Sequence, residues 1–256
     1  MSFDAEQFTR YRIANAPVQR YPFAHFFVEN VFPPDYYRSL LENLPGQDTY
    51  TPIDETGTVN KGSYKERHIV ELEDVVEKEV AAGREGRFWE SLESWLMDNT
   101  FTNLIVGKFR PAIEERFGQG VKMGLTTDCR LVRDFTNYAI PPHTDTETKL
   151  ISLLFYLPRD ASKSHLGTSI YAPEDPKFRS DGTMHYKTKG FKQVARMDYV
   201  PNALFAFLRT DYSFHGVEPI ADAEVERNLM LYNIYVPKVI VPRKPASGFR
   251  WPWQTR

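Results

Sequence analysis

A chain of 256 residues can bury one large core or, at most, two small ones. Its 41% hydrophobic and 26% charged content is that of an ordinary globular protein, and 14% aromatic residues lean toward β-rich architecture. A net charge of −2 excludes recruitment of nucleic acid or membrane by bulk electrostatics, and a single cysteine, Cys129, excludes an internal disulfide or a zinc–thiolate cluster.

The front half reads as mostly helical. Tyr37, Leu40, Leu41 and Leu44 recur at i, i+3, i+4 and i+7, which predicts a helix over 36–44, opened by Pro33-Pro34-Asp35 and closed before Pro45-Gly46. The polar stretch Asp48–Arg67 reads as a long loop and a candidate lid. From Gly86 to Phe117 the helical pattern returns, with Phe88, Leu92, Trp95 and Leu96 on one face and a break near Asn99-Thr100. Gly118-Gln119-Gly120 ends it.

Beyond residue 120 the period changes toward two. Strands are predicted over Met123–Thr136, Leu150–Leu157, Thr168–Tyr171, Phe191–Met197, Ala203–Leu208, Phe214–Glu218 and Asn228–Val236, with the charged stretch Pro173–Lys189 as a loop insertion. Short strands behind a helical front half predict one α+β domain built around a jelly roll or related barrel. Residues 1–120 would form its support, 121–240 its core and 241–256 a tail. With no visible leader after Met1 and no apolar run approaching a membrane span, the expected compartment is a reducing cytoplasm.

One constellation carries chemistry. A redox-active iron needs a few fixed ligands and open coordination positions, which two imidazoles and one carboxylate on one face supply. Pro141-Pro142-His143-Thr144-Asp145 offers His and Asp at i and i+2, which share a face on an extended chain. The two prolines stiffen the approach. The pair alone is weak, since chance gives roughly a third of an occurrence in a chain of this composition. Its weight comes from His215, in Phe214-His215-Gly216-Val217, and from Arg227 twelve residues later. A guanidinium forks onto a carboxylate with two parallel hydrogen bonds, so Arg227 suits the distal end of a dicarboxylate. Arg227, Leu229, Leu231, Asn233 and Tyr235 share a strand face, an apolar wall with one charge. Taken singly, His143 and Asp145 read as a loop pair, His215 as a core histidine, and Arg227 as a surface partner of Glu224 or Glu226.

In order along the chain stand Leu131-Val132-Arg133-Asp134-Phe135, His143-Thr144-Asp145, Leu154-Phe155-Tyr156-Leu157-Pro158, Leu166-Gly167-Thr168, Val200-Pro201-Asn202-Ala203-Leu204-Phe205, His215-Gly216-Val217 and Arg227. This series resembles the catalytic core of the 2-oxoglutarate/iron(II) oxygenase superfamily, most closely its prolyl-4-hydroxylase-type branch. Tyr21-Pro22-Phe23-Ala24-His25-Phe26 and the Pro33-Pro34 helix are similar to the front of such chains.

The resemblance implies a double-stranded β-helix with Fe(II) held by His143, Asp145 and His215, which would form the catalytic centre. It also implies 2-oxoglutarate as co-substrate, anchored by Arg227, with O2 consumed and ascorbate as a stimulant. Oxidative decarboxylation to succinate and CO2 would be coupled to hydroxylation of an unactivated C–H bond in a small molecule, amino acid or peptide. Desaturation, epimerisation and ring closure are alternatives on the same cofactors, and a non-catalytic jelly-roll binding protein is another. Tyr156 matches a position whose hydroxyl reaches the 2-oxoglutarate carboxylate in that branch, and Arg133 and Tyr138 are assigned to the same pocket.

Two departures bear on the chemistry. The branch's Gly-Gly pair is Leu166-Gly167 here, and the second arginine of nucleic-acid-repair relatives is replaced by Asn233, which disfavours a nucleic-acid substrate. Asp145 favours hydroxylation over halogenation. No membrane partner is expected, and the oligomeric state is open. His25, His68, His165 and His185 are read as structural or exposed, Cys129 as a small buried hydrophobe, Lys187–Lys192 and Arg243-Lys244 as solvated, and Trp251 and Trp253 as a cover on the barrel.

Overall fold

The computed structural model describes residues 5–81 and 86–240, so the predicted tail with Arg243, Lys244, Trp251 and Trp253 lies outside the described residues. In the front half, α1 (Ala5–Asn15) and β1 (His25–Glu29) lead to α2 (Pro34–Glu42), β2 (Thr51–Pro52), β3 (Arg67–Glu71), α3 (Leu72–Ala81), α4 (Arg87–Leu96) and α5 (Asn99–Phe117). The remainder is strands: β4 (Lys122–Phe135), β5 (Ile140–His143), β6 (Lys149–Tyr156), β7 (Thr168–Pro173), β8 (Phe191–Met197), β9 (Ala203–Leu208), β10 (His215–Val217) and β11 (Glu226–Ile240).

Local chemistry accounts for the helix boundaries. Pro34 occupies the first turn of α2, where its missing N–H leaves nothing unpaired. The predicted break near Asn99-Thr100 is a new helix start. The Asp98 side chain accepts a hydrogen bond from the Phe101 amide at 2.6 Å and caps α5, while α4 has already ended at Leu96. On α4 the buried face comprises Trp89, Leu92, Trp95 and Leu96. Phe88 packs against that core as a partly buried side chain.

The front half is less purely helical than its composition implies. β1 pairs with β9, and β3 with β4, so both join a seven-stranded sheet of order β1-β9-β6-β11-β4-β3-β2. The predicted loop Asp48–Arg67 therefore contains β2 and ends on a strand residue. β5, β10, β7 and β8 form a second, four-stranded sheet in that order, with antiparallel pairing throughout both sheets. The fold is thus a mixture of helices and antiparallel sheet. Among the described residues no helix is long and apolar enough to cross a membrane.

Strand alternation divides the interior into two cores. On β11, Met230, Tyr232 and Ile234 face the helices, where Phe101 meets the Tyr232 ring edge-on and the Thr102 and Tyr232 hydroxyls are hydrogen-bonded at 2.8 Å. Cys129 lies on the same side, buried and unpaired. Leu229 and Leu231 point the other way, into a second cluster that includes Phe205, Phe207, Ile170 and Val217. Because that cluster draws on both sheets, the space between the sheets is where a cavity can form.

Candidate active site

A cavity of about 150 Å³ opens between the two sheets. Its wall includes Arg67, Tyr138, His143, Asp145, Thr168, His215 and Arg227, together with the apolar Ile140, Leu154, Phe207, Val217, Leu229 and Leu231. Lys149, Ser152 and Asn233 complete the wall, so charged and hydrogen-bonding side chains converge with apolar ones in one concave site.

At one part of the wall, His143, Asp145 and His215 each offer a ligand atom within 4.8 Å of the others. The register of the four-stranded sheet produces this. His143 at the end of β5 is paired directly with His215 at the start of β10, and their rings lie 4.3 Å apart. Asp145 follows two residues beyond His143, on the same face, with Oδ1 4.0 Å from the Nε2 of His215.

Both imidazoles are oriented alike. The Nδ1–H of His143 donates to the Pro141 carbonyl, and that of His215 to the Ser213 carbonyl, each at 3.0 Å. These bonds leave both Nε2 atoms with free lone pairs. Burial lowers His143 well below the ordinary histidine range, helped by neighbouring His215, and burial likewise lowers His215. Both are therefore neutral near pH 7, the form that binds metal.

Asp145 is ionised. Burial alone would raise its carboxyl, but Lys149, His215, His143 and a hydrogen bond from Ser152 outweigh that and hold it well below the usual carboxylate range. Ser152 donates to Oδ2 at 2.7 Å and Lys149 lies 3.3 Å from Oδ1. Two buried neutral imidazoles and one ionised carboxylate are a donor set suited to a divalent first-row metal such as Fe(II).

The backbone of Asp145 is also held. Arg209 donates to its carbonyl at 3.0 Å, and Gly182 lies against the same atom with φ +85°. A Cβ on Gly182 would fall 2.1 Å from that oxygen. Gly182→Ala is therefore expected to push the 174–190 loop off Asp145 and weaken divalent-metal affinity by roughly tenfold, as the loss of an outer support does. A metal titration giving the same affinity as the native protein would contradict this.

At another part of the wall, Arg227 is fully buried. Its Nε donates to the Leu166 carbonyl at 2.6 Å and its Nη1 to Asp134 Oδ2 at 2.7 Å, while Nη2 is buried without a hydrogen-bond partner. A buried unpaired guanidinium N–H is costly, and a carboxylate in the cavity would satisfy it. Its ion-pair partner is the buried Asp134 on β4, not Glu224 or Glu226.

The remaining predicted residues divide. Tyr138 lines the cavity beneath the Arg67 guanidinium, 4.3 Å from ring centre to Arg67 Cζ. Tyr156 lies beside the anchor, with Arg227 Cζ 6.0 Å from its ring, but its hydroxyl donates to Thr168 Oγ1 at 2.8 Å, and it is Thr168 that reaches the wall. Arg133 is displaced from the pocket. It sits on the opposite face of β4 from Asp134, over the Tyr50 ring, and donates to Asn228, Gln47 and the Pro45 carbonyl. Gly167, where the Gly-Gly pair was sought, leaves no room for a side chain, since a Cβ would meet the Met197 carbonyl at 2.0 Å.

Sequence reasoning missed Asp134, Arg67, Lys149, Ser152 and the position of His185. His185, although exposed, lies with its ring centre 4.6 Å from that of His143, the two rings tilted, and is hydrogen-bonded to the Tyr64 hydroxyl. It also joins an open groove lined by 57–60, 63–64 and 183–185. His25, His68 and His165 make protein contacts away from the cluster, to Phe23, Gln47 and Asp222.

No protein-family model matches the chain, and no curated protein does. Solved structures with a similar chain path include a prolyl-4-hydroxylase and a member of the 2OG-Fe(II) oxygenase family. A prolyl-4-hydroxylase of Pseudomonas putida is 14% identical, with 90% of this chain and 99% of that one covered and a TM-score of 0.47. An oxidoreductase of the 2OG-Fe(II) oxygenase family from Burkholderia pseudomallei is 12% identical, covering 77% and 75%, at 0.41. HygX from Streptomyces hygroscopicus, solved with nickel and 2-oxoglutarate bound, is 11% identical, covering 83% and 83%, at 0.41. With TM-scores below 0.5, the chemistry has to stand on this chain's own residues.

Proposed function

We propose that the protein is an Fe(II)- and 2-oxoglutarate-dependent oxygenase that hydroxylates an unactivated C–H bond of a small molecule, amino acid or peptide. The observation that carries this reading is a single cavity with a His-Asp-His donor set on its wall and a buried arginine donor lacking a partner. In this reading the two facing sheets are a double-stranded β-helix.

The Nε2 atoms of His143 and His215 and Oδ1 of Asp145 would hold the metal, with Ser152 retaining Oδ2. Arg227 would donate Nη2 to the distal carboxylate of 2-oxoglutarate. Iron(II) bound there supplies the redox chemistry that couples 2-oxoglutarate decarboxylation by O2 to C–H oxidation. Leu154, Phe207, Leu229 and Leu231 would keep water from the cavity and strengthen the arginine–carboxylate pairing. The groove beside His185 and Tyr64 is the proposed entry for the substrate to be oxidised. Asn233 lines the cavity with its amide donated to Asp128 at 2.7 Å, so the position that carries the second arginine of nucleic-acid-repair relatives holds no charge.

The test is succinate release from 2-oxoglutarate under air with Fe(II), scored across a metabolite and peptide screen. Slow succinate formation that rises sharply with one compound class supports the reading. Binding of 2-oxoglutarate without succinate under any condition would indicate a binding protein and overturn it. Product analysis of the responsive substrate then separates hydroxylation from desaturation, epimerisation or cyclisation.

A further inference from the structure

Arg67, Asp134 and Arg227 form one row across three adjacent strands. Arg67 on β3 is the register partner of Asp134 on β4, and Asp134 is the register partner of Arg227 on β11. Directly opposed residues on one sheet face interact side chain to side chain. Here they do so in full: Arg67 donates Nε to Asp134 Oδ1 at 2.6 Å and Nη2 to Oδ2 at 2.9 Å, and Arg227 donates Nη1 to Oδ2 at 2.7 Å.

The row holds two cations and one anion. Asp134 and the Arg227 side chain are fully buried and the Arg67 side chain is only 15% exposed, so one positive charge is left over in a poorly solvated place. Such an excess favours a bound anion. The free donors face the need: Arg227 Nη2 is buried without a partner, and Arg67 has committed only Nε and Nη2 among the described residues. Both arginines line the same cavity. Tyr138 and Tyr156 beside them are neutral phenols and do not supply the missing charge, since burial raises both above the ordinary tyrosine range, Tyr156 to about 12.

We propose that Arg67 is a second carboxylate-binding residue, acting with Arg227 on the distal carboxylate of the co-substrate. This rests on the reading that the cavity takes 2-oxoglutarate. Two guanidiniums from strands on either side of β4 would grip one carboxylate from two directions, with their shared tie to Asp134 fixing the spacing. The site would then select a dicarboxylate over a 2-oxo acid that lacks the far carboxylate.

The test is anaerobic calorimetry on the Fe(II)-loaded protein, titrated with 2-oxoglutarate and separately with 2-oxobutyrate, which has the same 2-oxo acid end and no distal carboxylate. For Arg67→Gln we expect 2-oxoglutarate affinity to fall by about tenfold or more, the loss of one charge-assisted contact. Arg67→Lys, which keeps the charge without the fork, should fall in between, and 2-oxobutyrate should bind all three proteins alike. Unchanged 2-oxoglutarate affinity in both variants would overturn the proposal. So would an equal loss for both ligands, which marks Arg67 as structural. Arg67 variants that keep 2-oxoglutarate affinity but lose stimulation by acidic substrates would place it on the substrate instead, and overturn it as well. If the wild-type protein shows no preference for 2-oxoglutarate over 2-oxobutyrate, the underlying reading fails, a result distinct from the failure of Arg67 alone.

Discussion

His215→Ala is expected to lower Fe(II) affinity by more than about 100-fold, and His143→Ala to do the same. Loss of an outer support alone costs about 10–100-fold in such sites, so loss of a ligand exceeds that range. The two rings sit opposite each other on β5 and β10, with Nδ1 of each tied to a backbone carbonyl two residues earlier. The backbone therefore positions each nitrogen independently, and removing one ring leaves two ligands in place. Two ligands do not hold Fe(II) against water as three do. Anaerobic calorimetry with Fe(II) measures the effect, and circular dichroism checks that the variant is folded. Native-like affinity in a folded His215→Ala protein would remove it from the metal site.

Asp134→Asn is expected to destabilise the fold by about 3–5 kcal/mol, the range for breaking a buried charged network by removing one partner. Asp134 is the carboxylate that ties Arg67 to Arg227, and it is fully buried. Without it two like charges face each other with Arg227 still out of water. Urea denaturation at pH 7 reads the change as a shift of midpoint at constant slope. A loss below about 1 kcal/mol would mean that the two guanidiniums find other partners, and that the Arg67–Asp134–Arg227 row does not hold the sheet together.

The His-Asp-His cluster was legible because its parts are local. The i, i+2 spacing of His143 and Asp145 on an extended chain places both on one face whatever the tertiary structure, and the ordered series reaching His215 supplied the third member. What the series lacked was the register that sets His143 opposite His215. The apolar wall of Leu229 and Leu231 beside Arg227 was likewise visible from alternation alone.

The missed residues share one cause: their meaning lies in pairing across the sheet. Arg67 closes a polar stretch that reads as a loop, and only its place against β4 makes it a strand residue. Asp134 lies 93 residues from its partner Arg227. Arg133 was assigned to the pocket by its place before the His143 motif, and because Leu131-Val132-Arg133-Asp134 is buried on both faces the run carries no alternation to say which residue points inward. Tyr156 lies beside Arg227, but its hydroxyl is taken by Thr168, a contact between strands β6 and β7 of different sheets. β5 was hidden by Pro141 and Pro142, which are rare inside strands and here occupy a short strand. The charged helix α3 has no long apolar face, with only Leu72, Val75 and Glu79 buried, and leaves a faint period.

The most direct test of the account is visible absorbance on the wild-type protein, loaded with Fe(II) without oxygen and then titrated with 2-oxoglutarate. Metal and co-substrate sharing one cavity predicts a weak charge-transfer band that requires both components and is missing from His143→Ala. An iron-loaded wild-type protein that develops no band at saturating 2-oxoglutarate would contradict it.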